Sequence, residues 1–299
     1  MERIEVNDKV YGVIINFKAD DKLRNSFNKL TRKIYKFDFE DWYQSGYWND
    51  RYIPYSIVDG DTIVSNVSVN IIDFMIEGVK RTCIQIGTVM TDIAYRNQGL
   101  NRILMNRVLE DWKGKCDLIY LFANDSVLDF YPKFGFNSTN EYQHSKEFDP
   151  EEPRPDYTKL NMSDKENEVF LIKKVNKSLP FSEISMVNNT SLILFYCTTI
   201  MSENVYYIEK YDAIIIAEIN DTILYINDIF CEREVLISDI ILSLINKEIK
   251  KVILGFTPKD TTSFDEILLK QEDTTLFVLD DKLDLFDNNK IRFPILSHA

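Results

Sequence analysis

The chain has 299 residues, which suits two domains of about 150 residues that each bury a core. Hydrophobic residues make up 45% and charged residues 28% of it, the balance of an ordinary water-soluble globular protein. The formal net charge of −13 argues against general nucleic-acid binding, which depends on a basic surface. Such acidity suits a cationic small molecule or a peptide amine as a partner, and it equally suits a surface charge that only keeps the protein soluble.

Four cysteines lie far apart, without the paired spacing of a metal site: Cys83, Cys116, Cys197 and Cys231. We therefore expect no metal and free, buried thiols, as in a reducing compartment. The first residues lack the apolar core of a signal peptide, and the longest apolar run, about 192–201, is too short to span a bilayer. These features predict a cytoplasmic protein without a membrane partner, and they leave a homo-oligomer open.

The first predicted elements are a helix and an aromatic segment. The helix follows Asp20-Asp21, and its apolar stripe consists of Leu23, Phe27, Leu30 and Ile34. Residues 37–55 then interleave aromatic rings with acidic side chains. Strands are predicted over 52–58 and 62–74, joined by the tight turn Asp59-Gly60-Asp61.

The elements that follow predict a crossover between two parallel strands. A strand over 82–91 leads into a turn, and an amphipathic helix covers about 100–112. Residues 117–123 are almost continuously apolar, as expected of a central strand covered on both faces. A short helix around 126–133 ends at Gly135, where a left-handed residue is expected.

The same order of elements returns after a linker rich in proline and charge, which we place at 151–165. We predict a strand at 168–175, a helical region at 181–203, a helix at 234–249 and a strand at 252–256. Between them lies a meander over 205–209, 213–219 and 222–230. The chain therefore divides into domains 1–150 and 166–299, and its fold class is α/β (α+β) with a duplicated unit.

The most informative stretch runs from Gly87 to Arg102. It predicts a strand, a glycine-containing turn and the first turn of a helix, where free backbone N–H groups and the helix dipole hold a phosphate. Gly87 suggests a bulge in the strand, and the turn contains Arg96, Gln98 and Gly99. This combination points to a cofactor that carries a pyrophosphate.

Residues 82–136 resemble the core of the GNAT acetyltransferase superfamily. The family's loop motif, Arg/Gln-x-x-Gly-x-Gly/Ala, stands here as Arg96-Asn97-Gln98-Gly99-Leu100-Asn101, with Asn101 in place of the small last residue. A second family signature follows as Asn124 and then Phe130-Tyr131-Pro132-Lys133-Phe134-Gly135-Phe136. The resemblance implies a GNAT fold: a mixed central sheet with a splayed pair of parallel strands and flanking helices.

The resemblance also implies acetyl-coenzyme A (acetyl-CoA) as co-substrate. Its pantetheine arm would lie between the splayed strands and pair with backbone groups near Val89 and Thr91. The residues expected at the cofactor are Val89, Met90, Thr91, Arg96, Asn97, Gln98, Gly99, Leu100, Asn101, Arg102, Asn124 and Tyr131. A backbone N–H near Met90 would polarise the thioester, and Tyr131 would donate a proton to the departing thiolate.

The general base stays open at this point. Gln85 stands where many family members have a carboxylate, so the alternatives are Asp92, Glu40, Asp41 or a chain of waters. In the tandem-domain relatives typified by the enhanced-intracellular-survival acetyltransferases, the terminal carboxylate enters the active site, which implies a possible catalytic role for Ala299. Those relatives also have a third domain, for which this chain lacks the length. The two histidines, His144 and His298, stand alone and are expected on the surface.

The aromatic segment 37–55 falls where the family builds its acceptor pocket. Rings there would flank the stem of an amine and acids would attract its charge, which makes Glu40, Asp41, Trp42, Tyr43 and Trp48 the expected substrate-binding residues. The alternative is that most of these rings belong to the core.

In the second half, Cys231-Glu232-Arg233-Glu234 stands where the phosphate loop would be. It has no glycine and two acids that would repel a diphosphate, so only the first half is expected to be catalytic. The sequence thus predicts an N-acetyltransferase acting by direct attack of an amine, with two alternatives: an inactive acyl-CoA sensor, or an enzyme with another acyl group or a hydroxyl acceptor.

Overall fold

The computed structural model describes residues 1–148, 155–280, 283, 285–286 and 289–298. Within them the chain forms two mixed β-sheets of nine and seven strands with helices packed on them, which confirms the predicted fold class. The strands before residue 149 are β1 (Glu2–Val6), β2 (Lys9–Ile15), β3 (Tyr52–Asp59), β4 (Thr62–Ile76), β5 (Val79–Thr91), β6 (Leu118–Ala123), β7 (Phe136–Ser138) and β8 (Tyr142–Glu147). The helices of this part are α1 (Asp21–Tyr35), α2 (Glu40–Gln44) and α3 (Leu100–Trp112).

The elements after residue 154 build most of the second sheet. The strands are β9 (Thr158–Lys159), β10 (Ile184–Val187), β11 (Val205–Ile208), β12 (Ala213–Asn220), β13 (Ile223–Phe230), β14 (Lys251–Leu254), β15 (Asp265–Leu268) and β16 (Thr275–Leu279). The helices are α4 (Lys165–Lys177), α5 (Thr190–Phe195, continued by a π-helical turn to Ile200) and α6 (Ile237–Leu244).

The local signals of the first half predicted its elements well. Asp20 caps α1 by accepting hydrogen bonds from the N–H groups of Lys22 (3.0 Å) and Leu23 (3.1 Å), and Phe27 is buried beneath the helix. The predicted helix at 126–133 is instead two 3₁₀ turns, Asp125–Val127 and Tyr131–Phe134. Gly135 ends the second turn in the left-handed conformation (φ 91°), as expected.

The first sheet has the order β1-β2-β3-β4-β5-β6-β16-β7, with β10 paired to the far end of β4. Strands β5 and β6 run parallel and are joined through α3, as the crossover pattern predicts. Their pairing ends at Ile86 and Leu121, and beyond these residues the two strands diverge. The divergence opens a slot at the centre of the sheet.

A β-bulge lies where this slot opens. Strand β4 pairs Asn66 with Met90 and Ser68 with Gly87, so Thr88 and Val89 together oppose one residue. Thr88 has a positive φ of 48°. The bulge therefore lies one residue beyond Gly87, because the residue pushed into the left-handed region is a threonine and not the glycine that suggested it.

The two sheets exchange strands across the predicted domain division. β8 pairs with β14 and β15 in the second sheet, whereas β16 is inserted between β6 and β7 in the first. The division into residues 1–150 and 166–299 therefore does not coincide with the division between the sheets. Residues 149–154 of the predicted boundary lie outside the described residues, and within the predicted linker Thr158–Lys159 adds the edge strand β9.

Two predicted elements of the second half are wrong. Residues 168–175 belong to helix α4, because Asp164 caps its start and a helical turn buries both Leu171 and the stem of Lys174. The helical region predicted at 181–203 begins with a strand, β10, and the helix predicted at 234–249 is the shorter α6. The meander of β11, β12 and β13 and the strand β14 confirm the rest.

Because strands are exchanged, we expect the two halves to unfold together. Leu276 of β16 is 1% exposed in a core shared with Phe74, Tyr120 and Ile184. Leu276→Ala should lower the free energy of unfolding by about 2–5 kcal/mol. Urea unfolding followed by tryptophan fluorescence and by circular dichroism should give coincident transitions.

Leu268→Ala is the matched control, since this leucine of β15 is 43% exposed and its loss should cost less than about 0.5 kcal/mol. Two separate transitions in the Leu276→Ala variant would contradict the shared core.

Candidate active site

A cavity of about 1120 Å³ lies at the slot between β5 and β6. One end is lined by the turn before α3 and by the segment around Tyr131. The other end is lined by aromatic residues from 37–52 and from α5 with its π-helical turn. The bulge residues Thr88 and Val89 also line the cavity.

The turn before α3 has the geometry of an anion-binding loop. Asn97 (φ 62°) and Gly99 (φ 79°) are both left-handed, and Gly99 is the N-cap of α3. In the described part of the chain no side chain caps α3, so its first N–H groups remain available. A Cβ atom at Gly99 would meet nothing within 4 Å, which leaves open space next to these N–H groups.

Three cationic side chains line this end of the cavity. Arg96 donates its Nε–H to the Thr91 carbonyl (3.3 Å), and its guanidinium is otherwise exposed. Arg102 and Lys133 are exposed at the cavity without an ion pair to any carboxylate among the described residues. In a chain of net charge −13, this local excess of positive charge favours an anion.

Asn101 does not crowd the anion loop. Its side-chain oxygen accepts a hydrogen bond from the Ser65 hydroxyl, which also lies 3.0 Å from the Thr91 hydroxyl. The side chain therefore points back to β4 and β5 and ties the start of α3 to the sheet. Asn101, which departs from the family motif, thus makes a structural contact with Ser65 that the motif alone does not reveal.

Two further cofactor candidates have other partners. The Gln98 side chain accepts a hydrogen bond from the Tyr11 hydroxyl (3.0 Å), and Leu100 is buried in the core. The Leu100 side chain and the Gln98 side-chain oxygen are therefore engaged within the protein. Asn124 is exposed at the cavity, directly after β6.

The surroundings of Tyr131 leave its hydroxyl available to a ligand in the cavity. Its ring is 5% exposed and packs edge-on against Phe130 (5.2 Å between centroids) and Phe136 (6.3 Å). Its hydroxyl makes no hydrogen bond to any described residue, although the residue lines the cavity. Burial raises the pKa of Tyr131 well above the usual value, so the phenol stays protonated at neutral pH.

Tyr35 and Tyr52 are site residues that the sequence did not reveal. The Tyr35 hydroxyl donates to the Val89 carbonyl at the bulge (2.8 Å), and desolvation raises the pKa of Tyr35 to about 12. The Tyr52 hydroxyl donates to the Thr88 hydroxyl (2.9 Å). Both bonds join residues more than thirty positions apart, and no local pattern signals such contacts.

Of the five predicted acceptor residues, Trp42 alone lines the cavity in the described structure. Trp48 is buried in the core, Asp41 is exposed to solvent, and Tyr43 stacks on the Arg24 guanidinium, 3.8 Å from the ring centroid. Glu40 is paired with Arg24 (3.0 Å). The expectation of acids around the acceptor is therefore corrected, because these acids already have cationic partners or face water.

The acids proposed as general base also lie away from the cavity lining. The hydrogen bond from Arg24 lowers the pKa of Glu40, and the hydrogen bond from Lys33 (2.7 Å) lowers that of Asp92. Gln85 is buried and its side-chain oxygen accepts from the Asn70 amide (2.8 Å). Low pKa values and distance from the cavity make Glu40 and Asp92 poor bases.

Neither histidine is on the surface, contrary to expectation. His144 is fully buried on β8, where both ring nitrogens lack a partner among the described residues. His298 lines the cavity and stacks on Phe122 with ring centroids 3.5 Å apart, while its backbone carbonyl accepts from the Tyr196 hydroxyl. Burial lowers the pKa of His298 to about 3, so its ring is neutral. Ala299, the proposed carboxylate donor, lies outside the described residues.

The second half retains the divergence but not the anion loop. β13 and β14 are parallel up to Ile226 and Leu254, and β13 bulges at Asn227. The chain itself fills the space beyond: Ile295 donates its N–H to the Gly255 carbonyl (2.9 Å). In the loop, Arg233 turns back onto the Tyr211 carbonyl (3.0 Å), so this cation is bound to the chain itself.

No group of three or more His, Cys, Asp or Glu side chains among the described residues is placed to hold a metal ion. No helix in the same residues is long and apolar enough to cross a membrane.

Comparison with known proteins identifies the first half. Residues 18–139 match the family model described as an acetyltransferase (GNAT) domain, which confirms the resemblance read from the loop and tyrosine motifs. No curated protein matches the chain at a significant level.

Solved structures share the fold over most of the chain. A GCN5-related N-acetyltransferase from Kribbella flavida is 16% identical, with a TM-score of 0.57 over 91% of this chain and 72% of that one. A probable N-acyltransferase of unknown function from Enterococcus faecalis is 16% identical (TM-score 0.61, 90% and 72% covered). Eis1 from Mycobacterium abscessus is 13% identical (TM-score 0.52, 89% and 73% covered).

The contact of Asn101 with Ser65 yields a test of its role. Asn101→Ala removes a partly buried hydrogen bond and should lower the free energy of unfolding by about 1 kcal/mol without tightening coenzyme A binding. Chemical denaturation and a binding titration measure the two effects. Asn106→Ala on the exposed face of α3 is the control and should be neutral or slightly stabilising. A marked gain in affinity in Asn101→Ala would mean that this side chain does obstruct the loop.

Proposed function

Because residues 18–139 form an acetyltransferase (GNAT) domain, we propose that this protein is an N-acetyltransferase that moves an acetyl group from acetyl-CoA to an amine. The observation that carries the proposal is the shared cavity. The divergence of β5 and β6, an uncapped helix start with free cations, and the unpartnered Tyr131 hydroxyl all meet there.

The residues present fit coenzyme A. The N–H groups of Gln98, Gly99, Asn101 and Arg102 would bind the pyrophosphate, with Arg96, Arg102 and Lys133 adding charge. The pantetheine arm would lie in the slot, where β5 and β6 no longer pair with each other. The Tyr35 hydroxyl already binds the Val89 carbonyl and so holds the bulge in place. The neighbouring backbone groups would remain available to the pantetheine arm.

The chemistry needs no covalent enzyme intermediate. The amine nitrogen attacks the thioester carbonyl carbon, a C–N bond forms, and a backbone N–H near Met90 stabilises the charge on oxygen. The C–S bond then breaks and the electron pair leaves with sulfur. Tyr131 donates its proton to this sulfur, and the proton lost by the amine restores the phenol through solvent.

The raised pKa of Tyr131 bears on this step. A free thiol titrates near 8.5, so full transfer from a buried phenol to a solvated thiolate is uphill. A thiolate that forms in the same buried cavity is itself poorly solvated, and its proton affinity rises too. Tyr131 therefore acts best as a hydrogen-bond donor while the C–S bond breaks, with transfer completed as the sulfur leaves.

One observation favours the alternative, a non-catalytic acyl-CoA sensor. Among the described residues, none of the acids considered as general base lines the cavity. Thiol release from acetyl-CoA with a panel of amines separates the two proposals. Release that depends on both amine and enzyme supports the transferase, whereas tight acetyl-CoA binding without release supports the sensor. The same assay with longer acyl-CoA esters and with alcohols tests another acyl group or a hydroxyl acceptor.

Tyr131→Phe removes only the hydroxyl and should lower kcat about 100-fold. The reason is that the buried phenol has no other partner in the described structure to share its role. Thiol release measures kcat, and titration with acetyl-CoA should give a dissociation constant within about twofold of the wild type. An unchanged kcat would remove Tyr131 from the mechanism.

Arg102→Gln removes one cation from the anion loop and should weaken coenzyme A binding about tenfold, as expected for one charge-assisted hydrogen bond. Binding of pantetheine, which has no pyrophosphate, should not change. Arg107→Gln is the control on the same helix, since Arg107 pairs with Asp111 (3.3 Å) and does not line the cavity. Equal losses for coenzyme A and pantetheine would argue against a phosphate contact.

A further inference from the structure

The end of the cavity opposite the anion loop is an aromatic arm, built by both halves of the chain. We give this name to the part lined by Phe37, Phe39, Trp42, Tyr52, Phe195 and Tyr196. Phe39 stacks on Phe195 with centroids 5.3 Å apart, and Trp42 meets Phe195 edge-on at 5.6 Å. The Trp42 indole N–H is already bound to the Ser191 carbonyl (2.9 Å). The arm therefore offers apolar ring surface with little hydrogen-bonding capacity.

The acids of this segment face away from the arm. Phe37 and Phe39 line the cavity, whereas Asp38 and Glu40, the residues next to them, form ion pairs with Arg32 and Arg24. Asp50 likewise pairs with Lys18 (2.7 Å). Alternate residues thus face opposite ways, and the acids serve to bind the protein's own cations.

Among the described residues that line the cavity, Asp129 is the sole carboxylate. It lies in the segment that carries Tyr131 and Lys133 and is not one of the residues that form the aromatic arm. A polycationic acceptor would have no negative charge to meet in the aromatic arm. Burying an unpaired ammonium costs free energy that a few ring faces only partly return.

On the basis of the proposed function, we infer that the acceptor is a primary amine carried on an apolar, aromatic body that fills the aromatic arm. The body would lie against the cavity-facing sides of Phe37, Trp42 and Phe195, of which Phe195 contacts the other two, with its amine toward the bulge at Thr88. An amine with several charges, such as a polyamine or an aminoglycoside, is excluded by the same surroundings.

The arm also explains how an amine could react without an acid as general base. Transfer of an ammonium into an apolar site without a carboxylate lowers its pKa, because the charged form loses hydration and gains no partner. The amine would then give up its proton on entry and reach the thioester as a neutral nucleophile. This arrangement gives one explanation for two observations on the described residues. None of the acids considered as general base lines the cavity, and the aromatic arm contains no carboxylate.

The test measures binding of amines to the protein saturated with coenzyme A, so that it does not depend on turnover. 2-Phenylethylamine should bind at least about tenfold more tightly than ethylamine and than 1,4-diaminobutane, since filling an apolar pocket with a ring gains at least that factor. Its affinity should rise between pH 7 and pH 9, as the neutral fraction grows. Equal or tighter binding of the diamine would overturn the inference.

Leu192→Asp places a carboxylate at the edge of the arm and should shift the ratio of affinities toward the diamine by about tenfold or more. Asp41→Asn, which removes an exposed acid of the same segment outside the cavity lining, is the matched control and should leave that ratio unchanged. A change of preference caused by Asp41→Asn would favour the acidic pocket and contradict the inference.

The arm could also hold a long acyl chain, and the same titration tests this. If octanoyl-CoA prevents 2-phenylethylamine from binding while acetyl-CoA allows it, and octanoyl-CoA itself binds at least about tenfold more tightly, the arm is an acyl site and the inference fails. Thiol release is recorded separately. Selective amine binding without release would contradict the proposed transferase and still support an aromatic ligand.

Discussion

The site depends on the point at which β5 and β6 stop pairing. Up to Ile86 and Leu121 they are ordinary neighbours in a sheet, and past these residues the bulge at Thr88–Val89 turns β5 away. A positive φ at a threonine is unfavourable, so the surroundings must hold it. Tyr52 binds the Thr88 hydroxyl and Tyr35 binds the Val89 carbonyl. Two phenols from outside the strand pair thus stabilise the opening that the cofactor and the acceptor would share.

The exchange of β8 and β16 joins the two halves at the same place. β16 borders β6, the strand that forms one wall of the slot, and it comes from the second half. The aromatic arm is composite as well, since Phe195 and Tyr196 complete a wall begun by Phe37 and Phe39. On the proposed function, a site assembled from both halves would let the second half shape the acceptor pocket, while Arg233 in its own loop is bound to the Tyr211 carbonyl.

Local signals predicted what local chemistry controls. The stripe and cap of α1, the turn at residues 59–61, and the loop and tyrosine motifs were all recognisable, because each depends on residues near one another in sequence. The apolar run at 169–172 in α4 fits a strand or a helix equally, and only burial of Leu171 and Lys174 decides. The partners of β8 and β16, the role of Tyr35 and the outward direction of Glu40 depend on contacts between distant residues. Neither the composition nor the spacing of residues contains information about these long-range contacts.

The segment around Ile295 has a consequence for the second half of the chain. Its N–H binds the Gly255 carbonyl at the point where, in the first half, a strand edge is left open. A segment of the same chain occupies such an edge at an effective concentration that a free ligand seldom reaches. Placing a glycine in the loop at 231–234 would therefore not be enough to create ligand binding there, since the slot already has an occupant. Three residues later in the same segment, His298 stacks on Phe122, and both rings line the cavity between β5 and β6. The segment that fills the slot of the second half therefore also forms part of the wall of this cavity.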